Sequence, residues 1–227
     1  MTDTTLRILV DLREMMQKQR IGFGNRAAAL ARGADAGDGR SEAFMARWHE
    51  HFAVVERQAD AEIGEAVKEY PIYEYLRRVR GVGPMLAAQL IAMIDIGRAN
   101  TVSALWRYAG YAVIDGERER PTKGEKLHYN ARLKKVCYLL GMSFLKTNSP
   151  YRAVYDDGRA FYVANRPAWT KARQHMAAMR RMIKHFLTHL WVVWRELEGL
   201  PTRPLYVEER LGHEHISSAA DYGWYAS

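Results

Sequence analysis

The stretch Arg80-Gly81-Val82-Gly83-Pro84-Met85-Leu86-Ala87-Ala88 decides how this chain reads. It is a short glycine hairpin between two helix-patterned segments, Pro71 to Val79 and Met85 to Ile94. Glycine at both bends permits positive φ and leaves backbone N–H groups uncovered. Pro84 suits the first turn of the next helix, where its missing N–H is not needed. Amides at such a helix start can face a phosphate. The arrangement predicts a helix-hairpin-helix, a module that holds nucleic-acid backbone without reading bases. A bare Gly-x-Gly is common, so the reading needs a second line of support.

Charge supplies it. Residues 1–70 carry 10 Lys+Arg and 12 Asp+Glu, residues 71–200 carry 22 and 10, and residues 201–227 carry 2 and 4. The basic excess is confined to the segment with the hairpin. Lys and Arg release condensed counterions when they meet phosphate, so a polyanion fits this segment. A solvated basic surface kept for solubility is the plain alternative.

A chain of 227 residues with 48% hydrophobic content can bury a real core. No apolar run approaches membrane-spanning length, and Met1-Thr2-Asp3-Thr4-Thr5 has neither the basic start nor the apolar stretch of a signal peptide. The expectation is a cytoplasmic protein with no membrane partner, associated with the nucleoid if it binds DNA. The single cysteine, Cys137, permits no internal disulfide and falls in a helix-patterned run with Leu133, Val136 and Leu140, which favours packing over catalysis.

The pattern is mainly α-helical. Leu6 to Leu30 has Leu9, Leu12, Met15 and Met16 at helical spacing and ends before the glycine-rich Arg32 to Gly39. Ser41 is the expected N-cap of a helix from Glu42 to Tyr70, with Phe44, Trp48, Phe52, Val55, Ala59 and Ile63 on one stripe. Gly22 and Gly24 predict a bend or a close approach near Phe23. Two long helices joined by a loop predict an antiparallel hairpin, a coiled-coil-like arm. After the glycine hairpin, Thr101 is the expected cap of a helix reaching Gly110. Residues 111–128 read as a loop or small β-ribbon, and a helix runs from about Asn130 to Lys146. Ser149 and Pro150 predict the start of Tyr151 to Val163, Pro167 opens Ala168 to Leu197, and Gly199 and Pro201 close it.

Tyr75-Leu76-Arg77-Arg78-Val79-Arg80-Gly81-Val82-Gly83-Pro84, Ala87-Ala88, Ile94-Asp95-Ile96, Leu105-Trp106-Arg107-Tyr108-Ala109-Gly110-Tyr111, Lys123-Gly124, Asn130-Ala131-Arg132-Leu133, Pro150-Tyr151 and Arg180-Arg181-Met182-Ile183 follow one another in a fixed order. This series resembles the C-terminal half of the insertion-sequence transposases that join a RuvC-like domain to a helix-hairpin-helix domain and use a bridge RNA. The resemblance spans roughly residues 70–199, and its specificity lies in the order, since each piece is common. The preceding helices resemble the coiled-coil segment that links the two halves in that family.

The resemblance implies acidic metal ligands from the RuvC-like half, and only a few residues precede the arm here. It also implies a serine nucleophile in the loop after the Ala109-Gly110-Tyr111 motif. Here that loop runs Ala112-Val113-Ile114-Asp115-Gly116-Glu117, and no serine occurs between Ser103 and Ser143. The expectation is a DNA-binding half, carried by a phage or mobile element, that neither cuts nor rejoins DNA as an isolated chain. No catalytic residue, cofactor or metal is assigned. DNA glycosylases share a Gly-Val-Gly hairpin but place a catalytic Asp well downstream, whereas Asp95 stands too close and Asp115 lies in a different context. His185 and His189, four apart on one helix, have no carboxylate or third histidine in register. His49-Glu50-His51 and His213-Glu214-His215 match no ligand set. The aromatic residues Tyr151, Tyr155, Phe161, Tyr162 and Trp169 could stack on bases or form core.

The expected organisation is a helical-hairpin arm at residues 1–70, a transposase-like helix-hairpin-helix domain at 71–200 and a C-terminal tail at 201–227. Gly81, Val82 and Gly83 are expected to offer amides to phosphate, with Arg77, Arg78 and Arg80 around them. Lys123, Lys126, Arg132, Lys134 and Lys135 extend the surface along the loop and next helix. The expected partners are DNA, with structured RNA as a further ligand, and a second copy of the chain through residues 6–70. Two rivals remain: an oligomeric structural or regulatory protein without nucleic-acid binding, and a recombinase subunit served by a separate nuclease chain.

Overall fold

The computed structural model describes residues 4–32, 39–114, 117–118, 124, 126–202, 218–222 and 224. The described residues are mainly α-helical and divide into two units, residues 2–69 and 70–227. Among them, no helix is long and apolar enough to cross a membrane.

The first unit is a helical hairpin of α1 (Thr4–Ala31) and α2 (Gly39–Ala66), continued by a 3-10 turn at Val67–Glu69. The pairing is antiparallel, because partners on α2 fall in number as those on α1 rise. Arg13 meets Asp60 and Glu56 at 2.9 Å each, Arg20 meets Glu56 at 2.6 Å, and Phe23 stacks on Phe52 and Trp48. Glu56 is buried, so the two arginines that flank it supply the charge its desolvation requires. The expected disturbance near Phe23 is a close approach: a Cβ at Gly24 would lie 2.6 Å from His49 Nδ1, and α1 continues through it. Ser41 lies inside α2, which starts at Gly39, and so is not its cap.

The second unit comprises α3 (Pro71–Arg78), α4 (Pro84–Met93), α5 (Val102–Tyr108), a two-residue antiparallel ribbon of β1 (Val113–Ile114) and β2 (Glu117–Arg118), α6 (Ala131–Lys146), α7 (Arg152–Asn165) and α8 (Lys171–Leu197). A short 3-10 turn, Ala219–Tyr222, closes the described part. The expected cap at Thr101 forms, accepting from the Ala104 amide at 3.1 Å, and Asn130, near the expected start of its helix, caps α6 by accepting from the Leu133 amide at 3.1 Å. Asn130 also reaches Tyr108 Oη at 2.9 Å, tying α6 to the end of α5.

The ends of α5, α6 and α8 follow one geometry. After α5, Tyr111 N–H donates to the Trp106 carbonyl and Gly110 N–H to that of Arg107, with Gly110 at φ +75°. After α8, Leu200 and Gly199 make the same pair of bonds. This six-to-one closure needs a left-handed residue, which glycine supplies without strain. Asn148 takes that position after α6, and Ser149 N–H donates to the Phe144 carbonyl. Ser149 therefore finishes α6 instead of capping α7, whose N-cap is Tyr151. Its Oγ is buried with no partner among the described residues. Likewise Pro167 does not open α8: Thr170 Oγ1 accepts the Arg173 amide at 3.2 Å, and the helix starts at Lys171.

The core is built on α8. Ala178, Met182, Ile183, Phe186, Leu187, Leu190 and Trp191 are buried, facing Leu133, Cys137, Leu140 and Phe144 of α6 and Tyr75 of α3. Within it Tyr75 Oη, Tyr151 Oη and His189 Nδ1 form a chain with links of 2.9 and 2.8 Å. His185 packs on His189 and Tyr222, and Tyr222 stacks on Tyr151. Burial pushes Cys137's thiol up to about 12, which suits a packing role. Burial, with lesser effects of His189 and Arg181, pushes His185 down to about 4. Among the described residues no three His, Cys, Asp or Glu side chains gather as metal ligands.

Gly110→Ala should lower unfolding free energy by about 1–3 kcal/mol, because φ stays positive and the new Cβ meets other atoms. Lys134 Cδ and Tyr129 Cδ2 would each lie 2.9 Å from it. Gly199→Ala, with open space at its Cβ, should cost only the strain, about 1 kcal/mol. Urea denaturation of both variants measures the difference. His185 gives a pH expectation. Unfolded, it gains a proton near its ordinary 6.5; folded, it stays neutral down to about 4. The unfolded chain binds more protons in that window, so this group's stabilisation is complete above 6.5 and is lost as pH falls toward 4. Melting temperature should drop between pH 7 and pH 5, and His185→Gln should flatten that drop.

Candidate nucleic-acid interface

The hairpin turns because Val79 leaves the helix in an extended conformation and its carbonyl accepts the Val82 amide at 3.0 Å. Gly81, at φ +99°, makes the bend. Gly83 does not share that role: at φ −84° and ψ 168° it is an extended N-cap for α4, in a conformation open to any residue. The turn thus needs one left-handed glycine, not two.

This geometry redistributes the expected amide donors. Val82 is buried and its N–H is taken up by Val79. Gly83, Met85 and Leu86 offer amides that meet no acceptor among the described residues, since the first bond into α4 runs from Ala87 to the Gly83 carbonyl. Gly83 and Pro84 are exposed, and a Cβ at Gly83 would touch nothing within 4 Å. Of the predicted trio Val82 is thus withdrawn, and the open donors run from Gly83 into the first turn of α4.

Gly81 serves as the anchor. Its carbonyl accepts the Ser143 hydroxyl at 2.7 Å, and a Cβ there would lie 2.7 Å from Thr147 Oγ1 and 3.1 Å from Phe144 Cδ1. Phe144 is fully buried against Tyr151 and Phe186. The hairpin is thus seated on the C-terminal end of α6 and, through Phe144, on the core.

The arginines differ in readiness. Arg80 is exposed in the turn. Arg77 pairs with Glu74 at 2.7 Å, and its hydrogen bond holds that carboxyl below the usual carboxylate range. Arg78 places its guanidinium 5.0 Å from the Trp224 ring centroid. Exposed Lys146, in the last turn of α6, adds a cation near the Gly81 seat. It escaped the sequence reading because Ser143 and Thr147, its neighbours on Gly81, lie more than sixty residues away in the chain.

The remaining predicted cations lie at the other end of α6. Arg132 and Lys135 are exposed there, Lys134 Nζ sits 4.0 Å over Tyr129, and Lys126 is exposed in the segment before the helix. Lys123 lies outside the described residues. Arg132 and Ser143 are eleven residues apart on one helix, so about 16 Å separates the two groups. Exposed Arg132, Lys135, Leu139 and Lys146 fall within about 60° of one another around the helix axis, so they line one face from end to end. The loop after Gly110 is held by Arg180, whose Nη1 donates to the Tyr111 and Ala112 carbonyls at 2.9 and 3.4 Å.

Residues 73–156 match the model of the Transposase IS116/IS110/IS902 family, which supports a transposase-related origin for that stretch. The match takes in the hairpin, α4, α5, the ribbon, α6 and the first turn of α7. No curated protein and no solved structure matches the chain.

Gly83→Val should separate binding from folding. Extended backbone and open space accept the side chain, so stability should fall by no more than about 1 kcal/mol, the difference between glycine and an aliphatic N-cap. Affinity for duplex DNA should fall about tenfold, the value of one charge-assisted hydrogen bond. Gly81→Val should lower the melting temperature strongly instead. Melts beside anisotropy titrations check both.

Proposed function

We propose that residues 71–200 form a DNA-binding module of mobile-element type that grips phosphate backbone without reading base sequence. The carrying observation is the start of α4, where the Gly83, Met85 and Leu86 amides meet no acceptor among the described residues, in a hairpin that carries exposed Arg80 and is seated on the end of α6 that bears exposed Lys146. Backbone amides and unpaired cations recognise what every nucleotide shares, so affinity belongs to phosphate and not to sequence. Arg77, Arg78 and the α6 face with Arg132 and Lys135 extend the contact, with Lys126 and Lys134 beside it, and Lys123, outside the described residues, stays a proposed contact by sequence alone. The resemblance to bridge-RNA transposases adds structured RNA as a second ligand of the same surface. In this reading the protein works at DNA in the cytoplasm, residues 201–227 are a tail, and the chain alone binds without cutting.

Residues 6–70 are proposed to pair with a second copy. Ile8, Leu12 and Met15 lie exposed at helical spacing on α1, and Phe44 and Trp48 lie exposed on α2. Exposed apolar residues grouped in this way, one set on each helix, mark an interface. Phe52 and Val55, expected on the exposed stripe, are half-buried, and Phe52 packs against Phe23.

Titrating duplex DNA at several salt concentrations tests the module. Binding should tolerate sequence and weaken steeply with salt, and Lys146→Ala should reduce the log–log slope by about one. Salt-insensitive binding, or none at low salt, would remove the proposal. Light scattering at tens of micromolar should give a dimer or larger species that Leu12→Glu converts to monomer.

A further inference from the structure

Neither the hairpin nor the α6 face uses the corner between α7 and α8. From Gly158 to Arg195 the sequence contains no Asp or Glu, and Arg159, Arg166, Lys171 and Arg173 cluster in the part that turns. The nearest preceding carboxylates are exposed Asp156 and Asp157, one turn before Phe161 on α7, so an anionic ligand meets only cations from Gly158 to Arg195.

The same turn holds an aromatic stack. Tyr162 lies on Trp169 with centroids 5.5 Å apart and planes 22° from parallel, and Phe161 stands edge-on against Tyr162 at 5.4 Å. The Arg173 guanidinium sits 4.2 Å from the Trp169 centroid, and no carboxylate among the described residues pairs with it. The backbone under the stack is fixed. Buried Gln174 donates to the Arg166 carbonyl at 3.3 Å, Arg159 donates to that of Lys171 at 3.0 Å, and Gly158 lets α7 approach Ala178 of α8.

Two details separate this cluster from ordinary core. Phe161 is 48% exposed, and the stack carries an exposed cation instead of an aliphatic layer. Tyr151, by contrast, is sealed in the core and offers no ring to a ligand. Bases stack on aromatic rings and on guanidinium planes, while nearby cations follow the backbone between them. In a duplex those base faces are already covered. We propose that the α7–α8 corner binds unpaired nucleotides of a nucleic-acid strand, with Phe161, Tyr162, Trp169 and Arg173 as the stacking platform and Arg166 and Lys171 on the phosphates.

The test uses the full chain and anisotropy of labelled oligo-dT, oligo-U and a duplex at low salt. Oligo-dT should bind, and Trp169→Ala should weaken it about tenfold while duplex affinity changes by less than about twofold. Trp169→Phe should keep most of the affinity. Gly83→Val should do the reverse, lowering duplex and sparing oligo-dT, so failure at the hairpin and failure at this corner are told apart. If Trp169→Ala does not fold, Phe161→Ala and Arg173→Gln, both at exposed positions, decide instead. Equal affinity for oligo-U means that the sugar is not read, and a preference for either strand names its source; each supports the site. Absence of strand binding, unchanged binding in these variants, or parallel loss of strand and duplex would overturn it.

Discussion

Three buried polar groups, Tyr75 Oη, Tyr151 Oη and His189 Nδ1, join α3, the start of α7 and α8 through two short hydrogen bonds. In a low-dielectric interior a polar group without its partner costs about 1–3 kcal/mol, so the chain permits little adjustment of the elements it joins. Tyr75 stands one turn before Arg78, and Tyr151 stacks on Phe144, which supports Gly81. Both sides of the hairpin are therefore referred to one point in the core. A loop bearing a glycine at positive φ is held by that reference and not by its own propensity.

Net charge overstates what such a surface can present. Buried Arg195 donates to the carbonyls of Ile96, Ala99 and Pro201 and lies 5.3 Å from the Trp191 centroid. Lys184 lies 3.8 Å over Trp106, its amine pushed down by burial and then by Arg180. Arg180 secures the loop after Gly110. These cations satisfy carbonyls and rings inside the fold. Position along the sequence cannot separate them from Arg80 or Lys146, because the distinction lies in which side of α8 meets the carbonyls and rings of other elements.

Most of the helical architecture was legible in the residues, since Thr101, Asn130, Pro84 and Gly199 act locally. The misreadings share a cause. Ser149-Pro150 carries the signature of a helix start, yet the left-handed Asn148 before it makes Ser149 the closing residue of α6. Pro167 looked like a first helical residue until the Thr170 side chain took the cap three positions later. Of two glycines in the hairpin only Gly81 is left-handed, and its choice follows from the Ser143 and Phe144 contacts contributed by a distant helix. The α6 face was readable only in part: Arg132 and Lys135 follow the loop motif, but the placement of Lys146 at the hairpin is a tertiary fact.

The unbroken course of α6 has a geometric consequence. From Arg132 to Lys146 the helix rises about 21 Å, and its inner face is fixed to α8 by Leu133, Cys137, Leu140 and Phe144. A straight rod with a cation at each end has a length that thermal motion hardly alters. Laid along B-form DNA, at about 3.4 Å per base pair, it spans about six steps. The helix acts as a ruler: a duplex that kinks within those six steps, or a loop too small to reach both ends, engages one cation and forfeits the other.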